Sequence, residues 1–226
     1  MSPIPDPVPA DTEVPRATEV AVIGGGIIGV CASLKLAEQG IPVTLLEKGE
    51  IAAEQSSRNW GWCRQQGRDP REMPLIIESL NLWREMSARI GRDVGFNECG
   101  VLALAQSDTD LEKHRDWSSL GQEYGVESKL LRGTEVAQHI PGCATVWTGG
   151  LYTPSDGRAE PTLAAPTIAL AARSLGAKIF TNTAVRAIDI QAGRVNGVVT
   201  EHGRIRCNTV IVAAGAWTSP FLRNLG

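Results

Sequence analysis

The sequence has no surplus of basic charge: 22 lysines and arginines face 25 acidic residues, for a formal net charge of -3. No broad cationic face exists to hold nucleic acid. It also has no C-x-x-C pair. Cys31, Cys63, Cys99, Cys143 and Cys207 are odd in number and widely spaced, which argues against a disulfide framework or a zinc site and for a reducing cytoplasm. Histidine is scarce, and His114, His139 and His202 stand at neither triad nor metal spacing. Long hydrophobic runs are missing too. The most apolar stretch, VAVIGGGIIGVCA, is too short and glycine-rich to span a bilayer, and no basic region followed by an apolar run reads as a secretory signal. No internal repeat is present.

What the chain does have is length and apolar content, 226 residues of which 42% are hydrophobic, enough for a real core in one or two domains. Five of the thirteen prolines fall in the first fifteen residues, so residues 1–17 read as a disordered tail. EVAVI then reads as a buried strand, IIGVCASLKLAEQG as a helix closed by Gly40, and IPVTLLEKG as a second strand. In DPREMPLIIESLNLWREMSARIG, Asp69 is placed to cap, and Ile76, Leu80, Trp83, Met86 and Ile90 share one helical face that Gly91 ends. VGFNECGVLALAQS reads as a strand pair turning near residues 97–100, followed by a polar helix and a short one around TEVAQHI. Pro166 is expected to kink the helix EPTLAAPTIALAARSLGA or to mark its true start, and KIFTN follows as a strand. A β-meander with turns at Ala192-Gly193 and His202-Gly203 leads to TVIVAAG, apolar enough to be buried on both faces inside a parallel sheet.

Gly24, Gly26 and Gly29 form G-x-G-x-x-G between the first strand and the first helix. In that context Gly24 makes the tight turn, Gly26 leaves bare backbone for a pyrophosphate, and Gly29 allows close packing of helix and strand. The helix N-terminus offers unpaired N–H groups and partial positive charge to phosphates. Glu47, at the end of the second strand, stands where a carboxylate accepts ribose hydroxyls. These residues do not decide between NAD and FAD. The break into a loop, a helix and an antiparallel insertion, with a late return through TVIVAAGAW, favours a flavin.

Taken with the SSRNWGW loop, LYTPSDGRAEP and the closing IVAAGAW, the glycine turn and Glu47-Lys48 make the chain resemble the D-amino-acid oxidase-like flavoproteins, which include sarcosine and glycine oxidases and D-amino-acid dehydrogenases. The resemblance runs over roughly residues 18 to 226. It implies an α/β fold with an α+β insertion: a Rossmann-like FAD domain of parallel sheet and β-meander (residues 18–72 and 154–226) and an incomplete antiparallel substrate domain (residues 73–153). It further implies that Gly24, Gly26 and Gly29 lie on the pyrophosphate with Ser56 and Ser57, Glu47 on the ribose, Lys48 near the adenosine and Val185 on the adenine. Ala214 and Gly215 would approach the cofactor closely. Asn59 and Gly61 would lie beside the flavin, with Trp60 and Trp62 as walls or else as core residues.

The same resemblance makes Arg64 the candidate catalytic residue, stabilising charge on the reduced flavin or gripping a substrate carboxylate. Arg58 and Arg68 are weaker candidates, Arg68 being placed for a surface pair with Asp69 or Glu72. Cys63 reads as a small buried thiol. The implied reaction is oxidation of an amino acid, N-methyl amino acid or cyclic imino acid at its C–N bond, with a 2-hydroxy acid as the alternative substrate. Family members are longer, so the chain is also expected to want a C-terminal half or partner subunit. Without one it would leave the strands near 94–105 unpaired and could be a flavin-binding fragment with no turnover of its own.

Overall fold

The computed structural model describes residues 3–223 and divides into two compact units. The first holds Met1–Trp60, Ile90–Val94 and Glu160–Gly226, and the second Gly61–Arg89 and Gly95–Ala159. In chain order the first unit opens with β1 (Val20–Ile23), α1 (Ile27–Glu38) and β2 (Val43–Leu46). Next come β3 (Trp62–Cys63), α2 (Met73–Ile90), β4 (Val101–Ala105), α3 (Asp108–Glu123), β5 (Lys129–Arg132), α4 (Gly133–His139), β6 (Gly149–Thr153) and β7 (Gly157–Arg158). The chain ends on α5 (Pro161–Ser174), β8 (Lys178–Phe180), β9 (Val185–Gln191), β10 (Arg194–Thr200), β11 (Gly203–Ile205), β12 (Thr209–Val212) and α6 (Thr218–Leu222).

Apart from a further crossing at 89/90 and 94/95, the units divide at residues 60/61 and 159/160, not at the expected 72/73 and 153/154. The reason is the ladder in which Trp62 pairs with Arg158 and Cys63 with Gly157. It ties the outgoing and returning segments to each other inside the second unit.

In the first unit β12, β1, β2 and β8 form one sheet in that order. All three pairings are parallel, with Val20 opposite both Val43 and Thr209. Strand alternation sends Ala21 and Ile23 into a buried cluster with Leu46, Phe180, Val198 and Ile205, which seats the antiparallel meander β9–β10–β11. Val22 points the other way, toward Gly29 of α1, and α1 packs along α5. The first turn of the meander falls as expected at Ala192 (φ 50°) and Gly193 (φ 75°), both left-handed as a two-residue hairpin requires. The second falls at Glu201-His202, one residue before the expected place, because Gly203 already pairs with Thr200. A further expectation is corrected. β12 joins the parallel sheet at its edge, and Val210, Ile211 and Val212 are half-buried, because among the described residues β1 is its only neighbour in that sheet and Val212 borders an open cleft.

The tail is corrected as well. α5 starts at Pro161, and Pro166 lies buried inside it. A proline has no N–H to give the carbonyl four residues back. The amide of Asp6 donates to that carbonyl, Thr162 O, at 3.0 Å. Asp11 then pairs with β8 in both directions: its N–H donates to Ile179 O at 2.7 Å, and its carboxylate accepts from Ile179 N at 2.9 Å. Residues 3–17 contain no helix or strand, yet they are tied down by backbone groups that would otherwise lack partners.

Burial pushes the Asp11 carboxyl up, but the Ile179 amide and the charges of Arg173 and Lys178 together hold it below the usual carboxylate value. A depressed pKa in the folded state means stabilisation that is complete above the unfolded value and fades as pH falls through the folded one. Asp11→Ala is therefore expected to cost about 1–2 kcal/mol in urea unfolding at neutral pH. The gap to the parent should close as pH drops below 3.8. A deficit independent of pH would show that the carboxylate charge is not what holds the segment.

The second unit is built on the antiparallel sheet β4–β6–β5, in which Leu102 pairs with Tyr152 and Leu130 with Leu151. The expected hairpin turning near residues 97–100 is not formed. β4 finds its partner in β6, and Asn97 bridges to Arg158 while Gly100 N–H donates to Asp156 O. These pairings correct the expectation that the strands near 94–105 would lack partners. Asp69 caps a short 3-10 turn before α2 by accepting from Arg71 N at 2.9 Å. Pro74 falls in the first turn of α2, where its missing N–H costs nothing. Met73, Leu80 and Met86 are the buried residues of that helix, and Gly91 (φ 65°) ends it.

Candidate functional site

The chain leaves β1 through Gly24, whose φ of 109° suits glycine alone among ordinary residues. A Cβ there would also run into the Ala213 carbonyl oxygen. Gly29 faces back onto the same bend, and a Cβ on it would overlap Gly24 O. Gly26 is the N-cap of α1 and supplies no side-chain cap, nor does the first turn of α1 carry an acidic residue. Ser56, on the loop after β2, provides one: its Oγ accepts the Ile27 N–H at 2.9 Å.

Glu47 is buried at the end of β2. Its two carboxylate oxygens accept the N–H groups of Gly25 at 2.7 Å and Gly49 at 2.8 Å, so it fixes the bend from beneath. Each oxygen keeps capacity for a further donor. Lys48 ion-pairs with Glu54 at 2.9 Å and stacks its ammonium 4.0 Å from the centroid of the Trp217 ring, a cation–π contact. Neither partner of Lys48 was legible from spacing.

Above the bend lies a cleft of about 760 Å³, within the size range of small-molecule and cofactor sites. Gly24, Gly26, Glu47, Lys48 and Ser56 line one part of it, Val185, Ala214 and Gly215 another, and Ile23, Leu46, Val212 and Phe221 give it apolar walls. Eight of the residues singled out in the sequence thus meet in one cavity of the first unit. Others are placed outside it. Gly29 lies beneath the bend, the Ser57 hydroxyl donates to Glu54 O, and the Asn59 amide donates to the carbonyls of Gln55 and Ser56 at 3.0 Å. Trp60 and Trp62 are 77% and 50% exposed, so neither is a core residue.

Gly61, Trp62, Cys63 and Arg64 belong to the second unit. Gly61 has φ 72° and accepts the Ala159 N–H at 2.9 Å. The Arg64 guanidinium lies 5.3 Å from the Trp62 ring centroid and donates to Gln66 O. Burial, then the like charge of Arg68, lowers its pKa, with Asp156 acting in opposition. Asp156, part of the LYTPSDGRAEP motif but given no role of its own in the sequence, is fully buried and accepts from the backbones of Gln65 and Gln66. Burial raises the Cys63 thiol to about 11, as an inert packing thiol requires. Arg58 pairs with Glu54 at 3.3 Å, and Arg68 lies 3.7 Å from Glu72. Asp69 takes Arg71 as its partner instead.

Comparison with known proteins decides the family. The model of the "FAD dependent oxidoreductase" family matches residues 19–226. The chain belongs to this family. It is 31% identical over 221 residues to human mitochondrial sarcosine dehydrogenase, covering 94% of this chain and 24% of that protein. Glycine oxidase of Geobacillus kaustophilus is 29% identical over 213 residues, covering 89% of this chain and 55% of the relative. Among solved structures, L-amino acid deaminase from Proteus myxofaciens superposes with a TM-score of 0.93 at 32% identity over 98% of this chain and 51% of its own. The chain therefore spans between a quarter and about half of the relatives it matches.

FAD is the cofactor of this FAD-dependent oxidoreductase family, and the residues present fit it. Gly24 and Gly26 line the cleft without side chains, and α1 begins there with no acidic residue in its first turn to oppose a phosphate. Among the described residues no helix is long and apolar enough to cross a membrane.

Proposed function

We propose that the chain is an FAD-dependent oxidoreductase that oxidises the C–N bond of an amino acid, N-methyl amino acid or cyclic imino acid. The observation that carries this is the cleft over the α1 N-terminus, with a buried carboxylate at the end of β2 and apolar walls. In this reading the backbone of Gly24 and Gly26, packed by Gly29, holds the pyrophosphate with Ser56 and Ser57. Glu47 takes the ribose, Lys48 flanks the adenosine, and Val185 borders the adenine. Ala214 and Gly215 let the chain pass close to the cofactor. Asn59, Trp60 and Gly61 lie along the flavin, and Arg64 is the group that meets a substrate carboxylate or flavin charge.

FAD supplies the two-electron acceptor chemistry. The side chains bind, orient and exclude water, and the imine product is hydrolysed by water to carbonyl compound and amine. The substrate class is supported by what the relatives are called, a sarcosine dehydrogenase, a glycine oxidase and an L-amino acid deaminase. The five free cysteines suit a reducing cytoplasm.

The share of the relatives that the chain covers favours a second reading, in which further polypeptide or a partner subunit completes the catalytic unit. Purified protein reconstituted with FAD is expected to hold the flavin, and anaerobic N-methylglycine or another amino acid to bleach it. Retention of flavin without bleaching by any amine would favour the second reading, bleaching by 2-hydroxy acids alone would replace the substrate class, and failure to hold flavin would refute both.

A further inference from the structure

We infer that Asp156 is the positioning residue of Arg64: by clamping the two amides that follow the arginine, it holds the turn from which the guanidinium projects. The inference rests on the reading of Arg64 given above. All the groups concerned lie in the second unit. A carboxylate that is 0% exposed is costly unless its oxygens are satisfied. Asp156 Oδ1 accepts the Gln65 N–H at 2.7 Å, and Oδ2 accepts the Gln66 N–H at 3.0 Å. These residues are about ninety positions away along the chain, so the clamp is a tertiary one. The turn is pinned from its other side as well. Gln66 Nε2 donates to Leu151 O at 2.8 Å and to Thr153 Oγ1 at 3.0 Å on β6.

Arg64 in turn depends on that geometry. Its Nη1 donates to Gln66 O, the carbonyl of a clamped residue. Gly67 follows with φ 71°, and a Cβ there would come within 3.2 Å of the same Nη1. A hydrogen bond from either amide could have been met by water or a neutral acceptor. A carboxylate meets both at once and also sets a negative charge beside Arg64, which the nearby Arg68 repels. Asparagine in its place has one acceptor atom only, and its amide nitrogen would face an N–H.

The test uses the full chain loaded with FAD and compares the parent, Asp156→Asn, Arg64→Ala and the double variant. N-methylglycine binding is followed by calorimetry, dimethylamine serves as the carboxylate-free control, and exchange of the Gln65 and Gln66 amides is followed by mass spectrometry. The parent should protect both amides, and Asp156→Asn should speed their exchange by about tenfold or more. The same variant should weaken N-methylglycine by about tenfold while flavin content and dimethylamine binding stay unchanged. The double variant should bind no worse than Arg64→Ala, since a group acting through Arg64 has nothing left to act on.

Additive losses, unchanged amide exchange in Asp156→Asn, or unprotected amides in the parent would each overturn the inference. So would normal N-methylglycine binding by Asp156→Asn beside weak binding by Arg64→Ala. An Arg64→Ala protein that binds N-methylglycine normally, or a parent that does not bind it, would instead remove the reading of Arg64 and the inference with it. Where Asp156→Asn does not fold, Asp156→Ser, which leaves room for water at the two amides, carries the same comparisons.

Discussion

Gly29→Ala is expected to leave the protein without bound flavin and to lower its stability by about 3 kcal/mol. Ordinarily alanine stabilises a helix interior by roughly 1 kcal/mol relative to glycine. Here the sign reverses, because the added methyl would occupy the space of the Gly24 carbonyl oxygen, with the Val22 side chain 3.5 Å away. Neither neighbour is the free end of a flexible chain. To make room, α1 must move off β1, and the bend it supports opens. Gly40→Ala is the control. Gly40 has φ 72° but nothing within 4 Å of a Cβ, so only backbone strain of about 1–2 kcal/mol is expected there, with flavin retained. Urea unfolding and the visible flavin absorbance read both effects. A Gly29→Ala protein that is as stable as the parent and still yellow would mean that this glycine does not set the helix against the strand.

Glu47→Ala should be the next most damaging change, costing about 3 kcal/mol and weakening FAD by tenfold or more, because it orphans two N–H groups, one buried and one half-buried. Those groups belong to Gly25, inside the bend, and to Gly49, just after β2. The loss is therefore expected even in flavin-free protein, which separates a carboxylate that shapes the site from one that only touches a ligand. Glu47→Gln should fall between the two, since one of its terminal atoms would face a donor with a donor. Equal stability of Glu47→Ala and the parent in the absence of flavin would refute the supporting role, whereas loss of FAD affinity alone would leave only the ligand contact.

Much of the candidate site follows from local pattern. The glycine spacing, the strand before it and the carboxylate after β2 are neighbours in sequence, and their physics is local: a φ that only glycine tolerates, a helix end, a strand end. Ser56 and Val185 came instead from the likeness of short motifs to a family, and their meeting in one cleft depends on the loop after β2 and the meander folding against the same sheet. The misreadings share one origin. TVIVAAG is apolar enough for the middle of a sheet, yet it sits at an edge, because apolar content does not say how many neighbours a strand has. The proline-rich start looked unable to order itself, and by its own side chains it is. It is held by a carbonyl that Pro166 cannot serve and by the edge of β8.

The amino-acid order by itself determined the βαβ start, the bare phosphate-ready bend, the helix ends at Gly40 and Gly91 and the first turn of the meander, since each depends on the conformational limits of a few adjacent residues. The fold in three dimensions decided what pairs across distance. β4 found β6, β3 found β7, and Asp156 came to hold the amides beside Arg64. Such contacts are chosen by which buried polar groups and strand edges can satisfy one another once the core has closed, and no local pattern carries that information.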